Sequence, residues 1–199
     1  MAYPTVSAPY GLLPINLVGG QVFAGATRLM PIAVNSATAI YYGDVVKMVD
    51  TGTVGKDVGT DAATPVGVFL GCTYTDPTYG KVFRQYYPAT TNVTDTMAYV
   101  CDDPDTLFKV AVVSATTTIG YVARTVVGNN AVLVQNAGST VTGVSKVAID
   151  DTTAGTSTWP VRIIDVVPET ARATDPASFT EVIVKWNAGM HAYNNPTGV

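Results

Sequence analysis

Short runs of β-branched and aromatic residues alternate along this chain with clusters of Gly, Asp, Asn and Pro, a pattern that predicts strands from about residue 37 onward. The first run is Thr38-Ala39-Ile40-Tyr41-Tyr42-Gly43-Asp44-Val45-Val46-Lys47-Met48-Val49, broken once at Gly43-Asp44. Others cover residues 64–74, 81–87, 97–101, 107–114, 131–135, 144–149, 161–167 and 180–186. Between them stand turn formers: Asp50-Thr51-Gly52, Asp76-Pro77, Asp102-Asp103-Pro104-Asp105, Gly128-Asn129-Asn130 and Asn136-Ala137-Gly138. So many short strands predict a mainly β fold, a β-barrel or a sandwich.

Three stretches depart from this rhythm. Residues 1–31 are punctuated by Pro4, Pro9, Pro14 and Pro31 and by Gly11, Gly19, Gly20 and Gly25, which disfavours a helix. Yet they carry Tyr3, Tyr10, Leu12, Leu13, Ile15, Leu17, Val18, Val22 and Phe23, more apolar surface than a disordered linker holds. The expectation is an extended N-terminal arm that docks on its own domain or on a neighbour, the neighbour being preferred. Residues 115–127 place Ile119, Val122 and Val126 near one helical face behind Thr116-Thr117-Thr118, so at most one or two short helices are expected. Residues 138–158 read as a long surface hairpin. The organisation is thus an arm over 1–31, a β-rich domain over 32–187 with room for two subdomains, and a C-terminal tail over 188–199.

Composition sharpens the picture. Hydrophobic residues make up 47% of the 199 and charged ones only 13%, about half the usual globular share. A free monomer normally keeps more charge on its surface, so sister molecules are expected to cover part of this one. Asp, Lys, Gly or Pro interrupts every apolar run before the roughly 18 residues of a spanning helix, and no membrane partner is expected. The opening Met1-Ala2-Tyr3-Pro4-Thr5 lacks the basic and apolar blocks of a secretory signal, so synthesis in the cytoplasm is the expectation. Eleven Lys and Arg against fifteen Asp and Glu give a net charge of -4, with no basic cluster for phosphates, so direct nucleic-acid binding is not expected.

Candidate chemistry is sparse, and the chain is read as non-enzymatic, with no catalytic, cofactor or metal residues assigned. His191 is the one histidine, and no Gly-x-Ser-x-Gly elbow accompanies it. Its expected role is packing or exposure in the tail. Asp102-Asp103-Pro104-Asp105 lacks the spacing and closing Glu of a calcium loop and reads as a turn between two strands. Cys72 and Cys101 read as buried reduced thiols. Nucleotide motifs are absent, and Asn92-Val93-Thr94 matches a glycosylation acceptor by spacing alone. Eleven Tyr and two Trp leave aromatic surface for an intrachain contact, a subunit contact or a sugar.

Several stretches carry a resemblance. Tyr10-Gly11-Leu12-Leu13-Pro14-Ile15-Asn16-Leu17-Val18-Gly19-Gly20-Gln21, Ile40-Tyr41-Tyr42-Gly43-Asp44-Val45-Val46-Lys47, Val66-Gly67-Val68-Phe69-Leu70-Gly71-Cys72, Ala98-Tyr99-Val100-Cys101-Asp102-Asp103-Pro104-Asp105 and Val182-Ile183-Val184-Lys185-Trp186-Asn187 resemble a family of virion structural proteins of aquatic tailed phages. The Gly-Asp-Val-Val strand followed by Val-Gly-Val-Phe is also similar to the small barrels of head decoration proteins. The resemblance implies a capsid cement or decoration protein on the head exterior. Its partners would be the major capsid protein and two sister copies in a homotrimer over capsomer junctions. A main shell or tail subunit, and a virion carbohydrate-binding module, are the alternatives. On this reading residues 3–23 form the contact arm, with Tyr3, Tyr10, Leu12, Leu13, Ile15, Leu17 and Phe23 at the interface.

Overall fold

A computed structural model describes residues 5–89, 93–171 and 178–197. Tyr3, assigned above to the interface, and Asn92 of the glycosylation-like triplet lie outside them. The fold is mainly β. Its strands are β1 (Leu13–Leu17), β2 (Arg28–Pro31), β3 (Val45–Met48), β4 (Val54–Lys56), β5 (Gly67–Asp76), β6 (Gly80–Arg84), β7 (Met97–Cys101), β8 (Thr106–Ala115), β9 (Thr118–Ile119), β10 (Asn130–Val134), β11 (Ala148–Ala154), β12 (Val161–Val166) and β13 (Glu181–Trp186). Among the described residues no helix is long and apolar enough to cross a membrane.

Five strands close into a barrel in the order β8-β11-β10-β12-β13, with β13 returning to β8. Alternation along β8 explains the closure. Phe108, Val110 and Val112 point inward with Leu133, Ile149, Val161, Ile163, Val182, Val184 and Trp186 to fill the lumen. Each such side chain contributes on the order of 1.5–3 kcal/mol by leaving water. On the opposite face of β8, Ala111 and Val113 pack with Ala148 and Phe179 under Val6, Tyr10, Ile119 and Val134. A strand buried on both faces reads as the near-continuous apolar run that β8 shows.

The second sheet has the order β2-β7-β5-β3-β4, with β6 added to β5. Its inner face holds Met30, Val46, Phe69, Cys72, Tyr74, Ala98 and Val100 over a separate core that includes Ile40, Val66 and Tyr87. Its outer face gives Val45, Val68 and Cys101 to the barrel core. Gly67 lets β5 and β7 come close within this sheet, since a Cβ there would lie 2.2 Å from the Cys101 carbonyl oxygen. A parallel bridge between Ile32 and Val54 draws the two ends of the sheet together.

The Gly-Asp break is the joint between the two units. Gly43 adopts φ +89, and its carbonyl accepts the Leu12 N–H at 2.9 Å. Asp44 is fully buried. One oxygen takes the Tyr41 N–H and the Lys56 ammonium, both at 2.9 Å; the other takes the Ser145 hydroxyl at 2.6 Å. A carboxylate so enclosed persists because each lone pair facing the protein is used.

The structure decides between the expectations for four stretches. Residues 5–31 dock on their own chain and not on a neighbour, the less favoured of the two alternatives: β1 pairs antiparallel with β8, and β2 pairs with β7 in the second sheet. Apolar alternation in Leu13–Leu17 finds its partner within the chain, which is cheaper in entropy than finding it on another molecule. Residues 115–127 hold a turn, the short β9 and one short 3-10 helix at Arg124–Val126, which keeps within the one or two short helices expected; their β-branched content disfavours a longer α-helix. The stretch 138–158 is no surface hairpin, because β11 within it pairs parallel with β8 and closes the barrel. Residues 188–197 are irregular yet packed, with the Ala192 N–H bonded to the Pro65 carbonyl at 2.8 Å.

A candidate assembly surface

The barrel covers only part of the outer face of the second sheet. Beyond Cys101 the same face continues through Tyr99 and Met97 on β7, Leu29 and Pro31 on β2, Thr73 on β5 and Phe83 on β6. Nothing in the described residues lies over Phe83, 64% exposed, or Leu29, 51% exposed. The Phe83 ring meets the edge of Tyr99 at 5.5 Å between centroids. It also lies against Gly71, where a Cβ would come 3.0 Å from its Cζ. Glycine at that position lets the ring lie on the backbone. The result is an apolar strip of Phe, Tyr, Met, Leu and Pro on an otherwise ordered sheet.

The charges at its margins are already spent within the chain. At one end Asp95 accepts the Thr75 N–H and hydroxyl at 2.9 and 2.7 Å and the Lys81 ammonium at 3.0 Å. Those Thr75 bonds, then Lys81, hold its carboxyl well below the usual carboxylate range. At the other end Asp102 takes Arg28 at 2.8 Å and the Tyr193 hydroxyl at 2.6 Å. The Arg28 guanidinium lies 5.6 Å from the centre of the Tyr193 ring. Burial, and then Asp102, push the Tyr193 hydroxyl up to about 12.

The residues assigned from sequence fall elsewhere. Leu12 is wholly buried in the barrel core and cannot anchor a neighbour, which corrects its assignment. Tyr10 donates its hydroxyl to Glu181 at 2.5 Å, and burial followed by Glu181 raises that hydroxyl well above the ordinary tyrosine value. Lys109 completes the cluster, 3.1 Å from Glu181. Leu13, Ile15 and Leu17 are half-buried on β1, and Phe23 packs half-buried against the barrel core. What this region presents to solvent is Val18 and Val22, at 52% and 76%, on the turn after β1. Leu29, Phe83, Tyr99 and Met97 were not singled out from the sequence. The available signal was that residues 97–101 are apolar on both faces, more than a half-solvated strand needs.

The other candidates for chemistry are structural. His191 is buried, its ring 6.4 Å from Trp186 and 5.1 Å from Tyr193 between centroids. Burial holds its imidazole below the ordinary histidine range, against the opposing pull of the Val66 backbone and of Asp102 and Asp103. Asp102-Asp103-Pro104-Asp105 is the turn between β7 and β8, with Asp103 accepting the Asp105 N–H at 2.8 Å and Asp105 holding Lys185 at 2.7 Å. Cys72 and Cys101 are free and buried, and burial pushes the Cys72 thiol up to about 12. Tyr41 stacks on Tyr86 at 5.5 Å, an intrachain contact. No family model, curated protein or solved structure matches this chain.

Proposed function

We propose that this chain is a structural subunit of a tailed-phage virion, a cement or decoration protein that binds the head exterior at capsomer junctions and stabilises the shell. The observation that carries the reading is the strip formed by exposed Leu29 and Phe83 with half-buried Met97 and Tyr99, beside charges that are already paired. An apolar, charge-neutral strip suits a protein surface better than a nucleic acid or an ionic ligand. The low charged fraction of 13% supports the same reading. Its partners are then the major capsid protein and sister copies, in a homotrimer by the resemblance noted above.

The test is direct. Purified protein added to expanded heads binds at a fixed stoichiometry and raises the temperature at which they lose DNA; no binding at saturating concentration removes the proposal. A carbohydrate-binding module is the second reading, supported by exposed Phe83 paired with half-buried Tyr99. A glycan array without a hit disposes of it.

A further inference from the structure

The strip borders on a strand edge that nothing among the described residues covers. Ile32 donates its N–H to Thr96 at 3.1 Å, and Met30 and Arg28 stand opposite Ala98 and Val100 in the same ladder. Alternation of an antiparallel pair therefore turns the backbone N–H and C=O of Leu29, and of Thr27 before it, away from β7. Among the described residues β7 is the one strand paired with β2, and no backbone bond is made by residues 24–27. Residues 24–29 are all exposed. Proteins usually guard such an edge with Lys, Glu or Pro. Here Ala24-Gly25-Ala26-Thr27 carries no guard, and the following Arg28 is held by Asp102.

We propose that a second copy of this chain pairs with this edge, antiparallel about a twofold axis at Thr27. The register is self-complementary. Thr27 faces Thr27 of the other copy, where both N–H and both C=O groups can be exchanged and the hydroxyls adjoin. Leu29 then faces Gly25, whose missing side chain leaves a notch: a Cβ built there meets nothing within 4 Å. Ala26 faces Arg28, so no like charges stand directly opposite. Gly25, at φ +77, turns each chain away after the pairing, before it reaches the Ile32–Val54 bridge of the other copy. The joint lays the two apolar strips side by side.

Size fixes how strong this contact is. Five paired residues span about 17 Å, and such a joint buries well under the roughly 800 Å² per partner of a stable complex. It is a reversible contact that becomes populated where copies are held close together. Where subunits already sit as trimers, it links one trimer to the next. The inference rests on reading the strip as an assembly surface, and an assay without phage heads separates its failure from failure of that reading.

The experiment is sedimentation velocity of the full chain over a concentration series, with cysteine cross-linking. The wild type shows a reversible monomer–dimer equilibrium. Thr27→Pro deletes an outward N–H without touching the β2–β7 ladder, and weakens association at least tenfold at unchanged unfolding midpoint. Thr27→Cys gives a disulfide-linked dimer on mild oxidation, since paired Cα atoms about 5.5 Å apart suit a disulfide. Leu29→Cys does not, and Cys72 and Cys101 are buried and silent. A wild type that stays monomeric up to its solubility limit overturns the proposal. So does association that survives Thr27→Pro, or cross-linking through Leu29→Cys and not Thr27→Cys.

Discussion

The barrel and the second sheet are built from the same kinds of strand but end differently. In the barrel every strand of the ring finds two neighbours, and even the outside of β8 is roofed by Val6, Tyr10 and Phe179. The second sheet has a full inner core, yet among the described residues nothing covers Leu29 and Phe83 on its outer face or the edge before β2. The difference separates two tasks. Closure uses up the edges of the barrel strands, while the sheet keeps apolar surface and backbone groups that face solvent and are open to another molecule.

Substitutions should break along that line. The largest loss is expected inside the barrel: Phe108, fully buried and 5.1 Å from Trp186, should cost about 3–5 kcal/mol as Phe108→Ala, read as a lowered urea midpoint. At the joint, Asp44→Ala strands the Lys56 ammonium and should cost a similar or slightly smaller amount, on the order of 3 kcal/mol. Adding Lys56→Met should recover part of it, the share left by the stranded Tyr41 N–H and Ser145 hydroxyl remaining lost, and a double variant no better than the single one would discount the ion pair as a cause.

A smaller effect is expected from pH at the seam where the C-terminal segment packs. The folded-state value of His191 lies below the ordinary 6.5, so the unfolded chain takes up the proton first as pH falls. Stability from this group is therefore complete above about pH 6.5 and declines as pH drops through the folded value. Melting temperature should fall as pH drops below about 6.5 in the wild type and fall less in His191→Gln. Equal slopes would assign the decline to carboxylates. The smallest effect on stability belongs to the open strip: Phe83→Ser should shift the unfolding free energy by no more than about 0.5 kcal/mol while lowering head binding. A large loss of stability there would mean the strip is part of the core.

Much of the fold was legible from residue pattern. The strand at Met97–Cys101 falls on the predicted residues, and β5, β8, β10, β12 and β13 each lie within a residue or two of theirs at most boundaries. These elements alternate cleanly and end at Gly, Asp or Pro. β1 and β2 lie in the segment predicted only as extended, because its Pro and Gly exclude a helix without marking a pairing partner; proline is tolerated at edges and irregularities, and β1 is shifted in register just after Pro14. β11 overlaps the predicted run 144–149 only at its start and continues through polar Asp150-Asp151-Thr152-Thr153, where pairing with β8 and β10 overrides a weak local β preference. The assembly surface was the least legible part. An apolar side chain on a strand carries no mark of whether its own chain or another covers it, and Leu12 and Leu29 differ only in what the tertiary fold laid on top.

The pairings of β8 also constrain how a ribosome can deliver this molecule. β8 lies mid-chain, between β1 from near the start and β13, whose last residue is Trp186. The ring therefore stays open until the final strand has left the exit tunnel. A nascent chain must carry several bare apolar strands through most of its synthesis, so premature stop codons even a dozen residues before Trp186 should yield insoluble product rather than a smaller working fold.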